Sequence, residues 1–322
     1  MKYAIGVDVG GTSLLACVMD EAGKMIKKIT MPTDRSDHGA NIIPSLASAI
    51  NDLTSKGEPD PEDCLGIGLG VPGAVLADGT VNKCVNLGWG RIDAAGELSK
   101  LTGLKAYAVN DANAAALGES VYGAARGYDS AFLITIGTGI GGGLVINGHI
   151  VKGAFGGAGE VGHITVDPRE EDACTCGKRG CLEQYCSATG IMRLVQKECP
   201  GRFGNVKEVY DAARDGDKAA LKLTDKAADI LAYGCSVIAA VADPDVFILG
   251  GGVAAAGDIL IDAVRSRYAK YVFHASRDTG FATAQLCNDA GMMGAAAYVM
   301  GNVFPISSCR GVSRMNHPDN SR

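Results

Sequence analysis

Three stretches of this chain share one form, an apolar strand that runs directly into a cluster of glycines. They are AIGVDVGGTS at 4–13, FLITIGTGIGGG at 132–143 and VFILGGGVAAAG at 246–257. Glycines at a strand end leave backbone N–H groups open and let a phosphate chain approach without side-chain obstruction. A single cluster of this kind is usually a tight turn and nothing more. Three of them, two built alike, restrict the fold far more. Helix-like segments lie between them: NIIPSLASAINDLTSK at 41–56, ANAAALGESVYGAA at 112–125 and the long run from 218 to 242. Strands alternating with helices of this length predict an α/β protein.

The continuation of the chain after each cluster separates the cases. After GTGIGGG comes LVINGHIVKG, where Asn147-Gly148 between apolar runs is a hairpin signal. After DVGGT the chain is again apolar, then polar at DEAGK, then apolar once more. Both read as strand, glycine turn, strand; the third cluster reads as strand, turn, helix. Gly137, Gly139 and Gly142 match the dinucleotide fingerprint G-x-G-x-x-G by letter. That fingerprint works only when a helix follows, with its N-terminus facing the pyrophosphate. Here a hairpin follows, so the dinucleotide reading is rejected, and no Walker A sequence is present. A hairpin repeated in two halves predicts two similar domains with nucleotide held between them.

Composition removes other classes. A net charge of −6 with no Lys/Arg block gives no nucleic-acid surface. Eleven cysteines, eight of them scattered singly in or beside apolar runs, indicate reduced thiols rather than a disulfide framework. The N-terminal MKYAIGVDVGG carries an acid where a signal peptide would need an unbroken apolar core. The longest apolar run, at 230–242 between Asp229 and Asp243, is short of the ~18 to 20 residues of a membrane span. A cytoplasmic globular protein with no membrane contact is expected, and the stretch 305–322, lacking apolar periodicity, is expected to be a loose tail.

Several polar residues stand where chemistry could be done. Asp8, in the first glycine turn and inside an otherwise apolar strand, either caps that turn or faces a magnesium ion. Asp111 follows the apolar segment ending in Asn110 and precedes an alanine-rich helix. Its position makes it a helix N-cap or, at a strand end in a cleft, a general base. Glu160 and His163 sit among four glycines in GGAGEVGHITV, either a surface pair or a ligand-facing one. Cys174, Cys176 and Cys181 fall within eight positions, a spacing that favours tetrahedral zinc. Three thiolates leave a fourth ligand to find: His163 is the economical candidate and Cys186 the rival. With His163, the metal would tie the cysteine loop to the segment bearing Glu160 and present Glu183 to the same pocket.

DVGGT, VNDANAAALGE, TIGTGIGGGLVINGHIVKG, AGEVGH and CTCGKRGCLEQYCS, in that order, resemble the ROK family of repressors, open reading frames and sugar kinases. The likeness runs from about residue 3 to 300, and within the family it is strongest to the bacterial ATP-dependent glucokinases. It implies the actin-like, ribonuclease-H-like ATPase fold, with a small α/β domain at 1–110 completed by a helix near 290–302 and a large one at 111–289. By the same resemblance, Asp8, Gly10, Gly11 and Thr12 form a first phosphate motif and Gly137, Thr138 and Gly139 a second, while Gly250, Gly251 and Gly252 hold adenosine. Asp111 is implied as catalytic base. Gly73, Asn86, Asn110, Glu160, His163 and Glu183 are implied as sugar contacts, and His163, Cys174, Cys176 and Cys181 as zinc ligands. Cys186 stands where the family has a small residue. ATP, magnesium and structural zinc are the implied cofactors, a hexose, foremost glucose, the substrate, and a homodimer or homotetramer the assembly.

Two rivals come from the same family. Its repressors carry a helix-turn-helix ahead of the first phosphate motif, and here the first strand is expected at about residue 3. A noncatalytic sugar sensor is the other, set against the presence of Asp111 and all three glycine clusters. Among the kinases, N-acetylmannosamine, N-acetylglucosamine, allose and fructose are the alternative substrates.

Overall fold

The computed structural model describes residues 1–54 and 60–303. The expected tail at 305–322 and the last two positions of the first predicted helix lie outside the described residues.

The N-terminal strand β1 (Tyr3–Val9) turns at the first glycine cluster into β2 (Ser13–Asp20), and β3 (Met25–Pro32) continues the meander. Helix α1 (Ile42–Thr54) crosses to β4 (Cys64–Val71), and α2 (Ala94–Thr102) crosses to β5 (Ala106–Asn110). Pairing gives the order β3-β2-β1-β4-β5, antiparallel through the meander and parallel from β1 onward. β1 is almost wholly buried, which explains why its sequence is a continuous apolar run rather than an alternation.

Helix α3 (Asp111–Tyr122) leads into β6 (Ser130–Ile136), then β7 (Ile140–Ile146) and the short β8 (His149–Ile150). The β7–β8 turn is Asn147-Gly148, both at positive φ, the twist a two-residue hairpin needs. After a long loop come α4 (Glu183–Cys186), α5 (Ala188–Glu198), α6 (Val206–Arg214) and α7 (Lys218–Ala242). β9 (Val246–Gly250), α8 (Asp258–Tyr271), β10 (Gly280–Thr283) and α9 (Ala290–Val303) finish the described chain.

The second sheet has the order β10-β9-β6-β7-β8. Read from the other edge it repeats the first sheet: a three-strand antiparallel meander, then two parallel strands. Each glycine hairpin joins the first two strands of its own meander. Each sheet has its own hydrophobic cluster, one around Ile5, Val7, Ile67 and Leu69, the other around Phe132, Ile134, Phe247 and Leu249.

Helix α9, last in the chain, does not stay with the second sheet. It packs on β1 and β4 of the first and crosses α3 closely. A Cβ at Gly6 would lie 1.9 Å from the Met292 carbonyl oxygen, and one at Gly68 would lie 1.9 Å from that of Ala295. Gly294 meets α3 in the same way, 1.7 Å from the Ala114 carbonyl oxygen. The close approach of backbone to backbone requires glycine at all three. Among the described residues no helix is long and apolar enough to cross a membrane.

Candidate functional site

Asp8 lies within β1, one residue before its end, rather than in the glycine turn itself. That turn is closed by Gly10 N–H donating to the Ser13 carbonyl at 3.0 Å and braced by the Thr33 hydroxyl donating to the Gly10 carbonyl at 2.7 Å. Gly11 and exposed Thr12 complete it, and the carbonyl oxygen of Asn86 would be 3.9 Å from a Cβ on Gly11. Burial, with the charge of Asp111 added, pushes the Asp8 carboxyl up to about 7. The two acids are therefore close enough for the charge of one to act on the other.

The head of α3 corrects one expectation. Its N-cap is Asn110, not Asp111: the backbone stays extended through Asn110, whose Oδ1 accepts the Asn113 N–H at 3.0 Å. Asn110 Nδ2 donates to the Gly73 carbonyl and to Asp111 Oδ1, each at 3.1 Å. Asp111 Oδ1 also accepts the Ala112 N–H at 2.7 Å. With the cap supplied by its neighbour, Asp111 is held through one oxygen. Burial pushes it up to about 6; the Ala112 amide opposes this, and the charge of Glu160 adds to it. Exposed Glu160 comes from the loop before a 3-10 turn at Val161–His163, so the loop and the head of α3 face each other. Asn86 is exposed on a second 3-10 turn at Val85–Leu87.

His163, Cys174, Cys176 and Cys181 converge, with their ligand atoms within 4.8 Å of one another. The Cys176 and Cys181 sulfurs are 3.6 Å apart, and Cys174 Sγ is 3.9 Å from His163 Nδ1. Burial, with the neighbouring thiols Cys174 and Cys176, pushes the Cys181 thiol up to about 12. Three thiols so close cannot ionise together unless a cation compensates, and three sulfurs plus one imidazole nitrogen are the donor set of a closed tetrahedral site. Cys186 stands apart. It is buried, and its thiol donates to the Ala227 carbonyl on α7 at 3.3 Å. The rival fourth ligand is thus a packing residue, and Cys186→Ala should leave the metal content of purified protein unchanged. Loss of about one metal per chain in that variant would reverse this assignment.

The cysteine loop is also pinned from outside. Arg193 on α5 donates to Glu170 at 2.6 Å and to Asp172 at 2.9 Å. Hydrogen bonding to Arg193 holds the Glu170 carboxyl well below the usual carboxylate range.

The second glycine turn closes with Gly137 N–H donating to the Gly139 carbonyl at 2.9 Å. Beside it opens a cavity of about 470 Å³, lined by Gly137 and Thr138, by Gly252 and Val253 of the third cluster, and by Val206 and Tyr210 of α6. The first glycine turn, Gly139, Gly250 and Gly251 are not in this lining. Lys207, Asp211 and Arg214 form its charged rim, with Asp211 paired to both cations and Arg214 donating to the Ala256 carbonyl. Sequence reading missed the whole α6 contribution. Its only trace was the charged face Lys207, Asp211, Arg214 opposite an apolar one, which any surface helix shows.

Two sheets of one topology, each opening on a glycine hairpin, with a cavity of about 470 Å³ beside the second, define an ATPase of the actin-like class. The ROK family profile matches residues 4–302, and the chain belongs to that family. It is similar to the glucokinase of Halalkalibacterium halodurans, 39% identical over 308 residues, which are 91% of this chain and 93% of that protein. The Thermotoga maritima glucokinase is 36% identical over 92% of this chain and 96% of its own length. A crystal structure of a ROK family glucokinase from Streptomyces griseus, in complex with glucose and AMPPNP, superposes with a TM-score of 0.76 at 32% identity. It covers 92% of this chain and 98% of its own.

Proposed function

We propose that this protein transfers the γ-phosphoryl group of ATP to the 6-hydroxyl of a hexose, with glucose the principal substrate. What carries the reading is the carboxylate at the head of α3: fixed through one oxygen by Asn110 and Ala112, and pushed up to about 6 by burial. A base whose pKa lies just below the working pH is ionised yet still a good proton acceptor. Phosphoryl transfer asks little covalent work of a protein beyond that proton and the positioning of the phosphates.

In this reading Asp111 takes the proton of the attacking hydroxyl. Asn110, Glu160, His163 and Glu183, with Gly73 and Asn86, pair the remaining sugar hydroxyls. The first turn, through Gly11 and Thr12, and the second, through Thr138 and Gly139, offer backbone N–H groups to the phosphates, while the N–H groups of Gly10 and Gly137 close the turns themselves. Gly250, Gly251 and Gly252 lie on the adenosine side. Asp8 is the carboxylate placed to meet magnesium, which supplies charge neutralisation to the phosphates when bound. His163, Cys174, Cys176 and Cys181 would hold zinc, whose part is to fix the loop rather than to react. Residues 1–110 with α9 and residues 111–289 act as the two lobes, and their approach would exclude water as a competing acceptor.

Sugar-dependent ADP release with Mg-ATP, run across glucose, mannose, their N-acetyl amines, allose and fructose, tests the proposal. A site built to pair each hydroxyl rejects an analogue lacking one by ~10⁴ or more, so one sugar should stand clear of the rest. Zinc-loaded, folded protein that releases no ADP with any of them would leave a sugar sensor as the better reading.

A further inference from the structure

We propose that Glu183 couples the sugar-and-metal side of the cleft to the phosphate hairpin, so that each site sets the affinity of the other. This rests on the kinase reading above and deepens it, because it concerns how the two halves of that site communicate.

Glu183 opens the four-residue helix α4, two positions after Cys181. Its Oε1 lies 2.9 Å from Cys174 Sγ, 3.3 Å from Thr175 Oγ1 and 3.7 Å from His163 Nδ1. Its Oε2 reaches the other way and accepts the Ile140 N–H at 3.4 Å. One carboxylate thus spans the cysteine loop and the first residue of β7.

Two further contacts make the same connection. The Ala188 N–H, at the start of α5, donates to the Gly137 carbonyl at 2.8 Å. Gly162, between Glu160 and His163, presses on β7 so closely that a Cβ there would be 2.2 Å from the Ile140 carbonyl oxygen. The hairpin is gripped from both sides by the segments that carry the sugar-contact candidates.

Gly139 is the sharpest sign. Its φ is not positive, so its torsions do not demand glycine. A Cβ at this position would lie 2.8 Å from Glu183 Oε2, so any larger residue must displace that carboxylate. Within the phosphate motif, the side chain that a larger residue would meet is therefore one from the sugar side. When nucleotide orders the hairpin, it also orders the amide that Glu183 leans on, and thermodynamic linkage makes the effect reciprocal.

The test is a substitution in the phosphate hairpin read out by sugar binding with no nucleotide present. Gly139→Ala should push the carboxylate aside and weaken calorimetric glucose binding about tenfold or more, the scale of a lost charge-assisted hydrogen bond. Zinc content and melting temperature should stay at wild-type values. In a Glu183→Ala background the same change should have no further effect on glucose affinity. Should Gly139→Ala fail to fold, the linkage itself is measured: glucose should tighten a nonhydrolysable ATP analogue about fivefold or more in wild type, and not in Glu183→Ala. A Gly139→Ala protein that binds glucose as wild type does, or linkage that survives Glu183→Ala, overturns the coupling while leaving the kinase reading intact. A wild-type protein that binds no hexose removes both.

Discussion

Asp111→Asn should lower turnover by ~10²–10⁴ with little change in glucose affinity, because it removes the proton acceptor and keeps the shape. The same substitution should make the protein more stable near neutral pH. In the fold the carboxyl is raised from its ordinary 3.8 to about 6. The sign follows from proton binding: between these values the folded protein holds a proton that the unfolded chain has lost, so stability falls as pH rises. The advantage of the protonated acid is complete below 3.8 and gone once pH passes about 6. Above that, the ionised buried carboxylate opposes folding by on the order of 2–3 kcal/mol. Asn carries no charge, so urea unfolding at pH 8 should show a gain of about that size and at pH 4 almost none. In wild type, kcat/KM should climb with pH through about 6 as the base ionises. Near-normal turnover in Asp111→Asn would end its assignment as base. A loss of stability at pH 8 would show that its hydrogen bonds outweigh its burial.

Removing the metal should have the second large effect. The cysteine loop has little apolar core of its own, and structural zinc contributes roughly 10–16 kcal/mol in small peptides at neutral pH. Chelator-treated protein, or Cys181→Ser, should bind glucose ~10²-fold more weakly or worse. Lys178 and Arg179 are exposed within the loop and supply a direct readout. Trypsin should cut after them in stripped protein and spare them in loaded protein. The Glu170–Arg193–Asp172 pairs should hold the flanking segment, so cleavage should be confined to the loop. Stripped protein that resists trypsin and binds glucose undiminished would reduce the metal to an incidental occupant.

The division between what could and could not be read in the sequence has a physical basis. The glycine hairpins were legible because strand, turn and strand are local, and a glycine run ending an apolar strand has few other uses. The cysteine part of the candidate metal cluster was legible because cysteine is rare and three fall within eight positions, whereas the convergence of His163 rather than Cys186 on it is seen in the structure. The cap at the head of α3 was not. Asn110 and Asp111 are both strong N-cap residues, and only the extended backbone through Asn110 decides between them. The distinction matters to the proposal, since the residue that caps is not the one proposed as the base. The cavity wall from α6 was illegible for a different reason. Val206 and Tyr210 are ordinary apolar positions on an amphipathic helix, and they become a cavity wall only when that helix is laid beside Gly137 and Gly252. Gly139 was read correctly as part of a turn, yet the side chain that a Cβ there would meet lies far along the chain, at Glu183.

The placement of α9 bears on how the chain comes to exist at all. The first sheet is formed by residues 3–110, yet the backbone groove at Gly6 and Gly68 is filled by Met292, Ala295 and Ala296 of α9. On a ribosome the earliest strands emerge with that face bare and remain so while almost two hundred further residues are made. The half synthesised first is the half finished last. A chain cut before residue 290 loses one helix in length, but it also leaves the older half permanently open, with Ala4, Cys17 and Met19 deprived of their cover. Stop codons that remove Ala290–Val303 should therefore yield protein that aggregates through its first sheet.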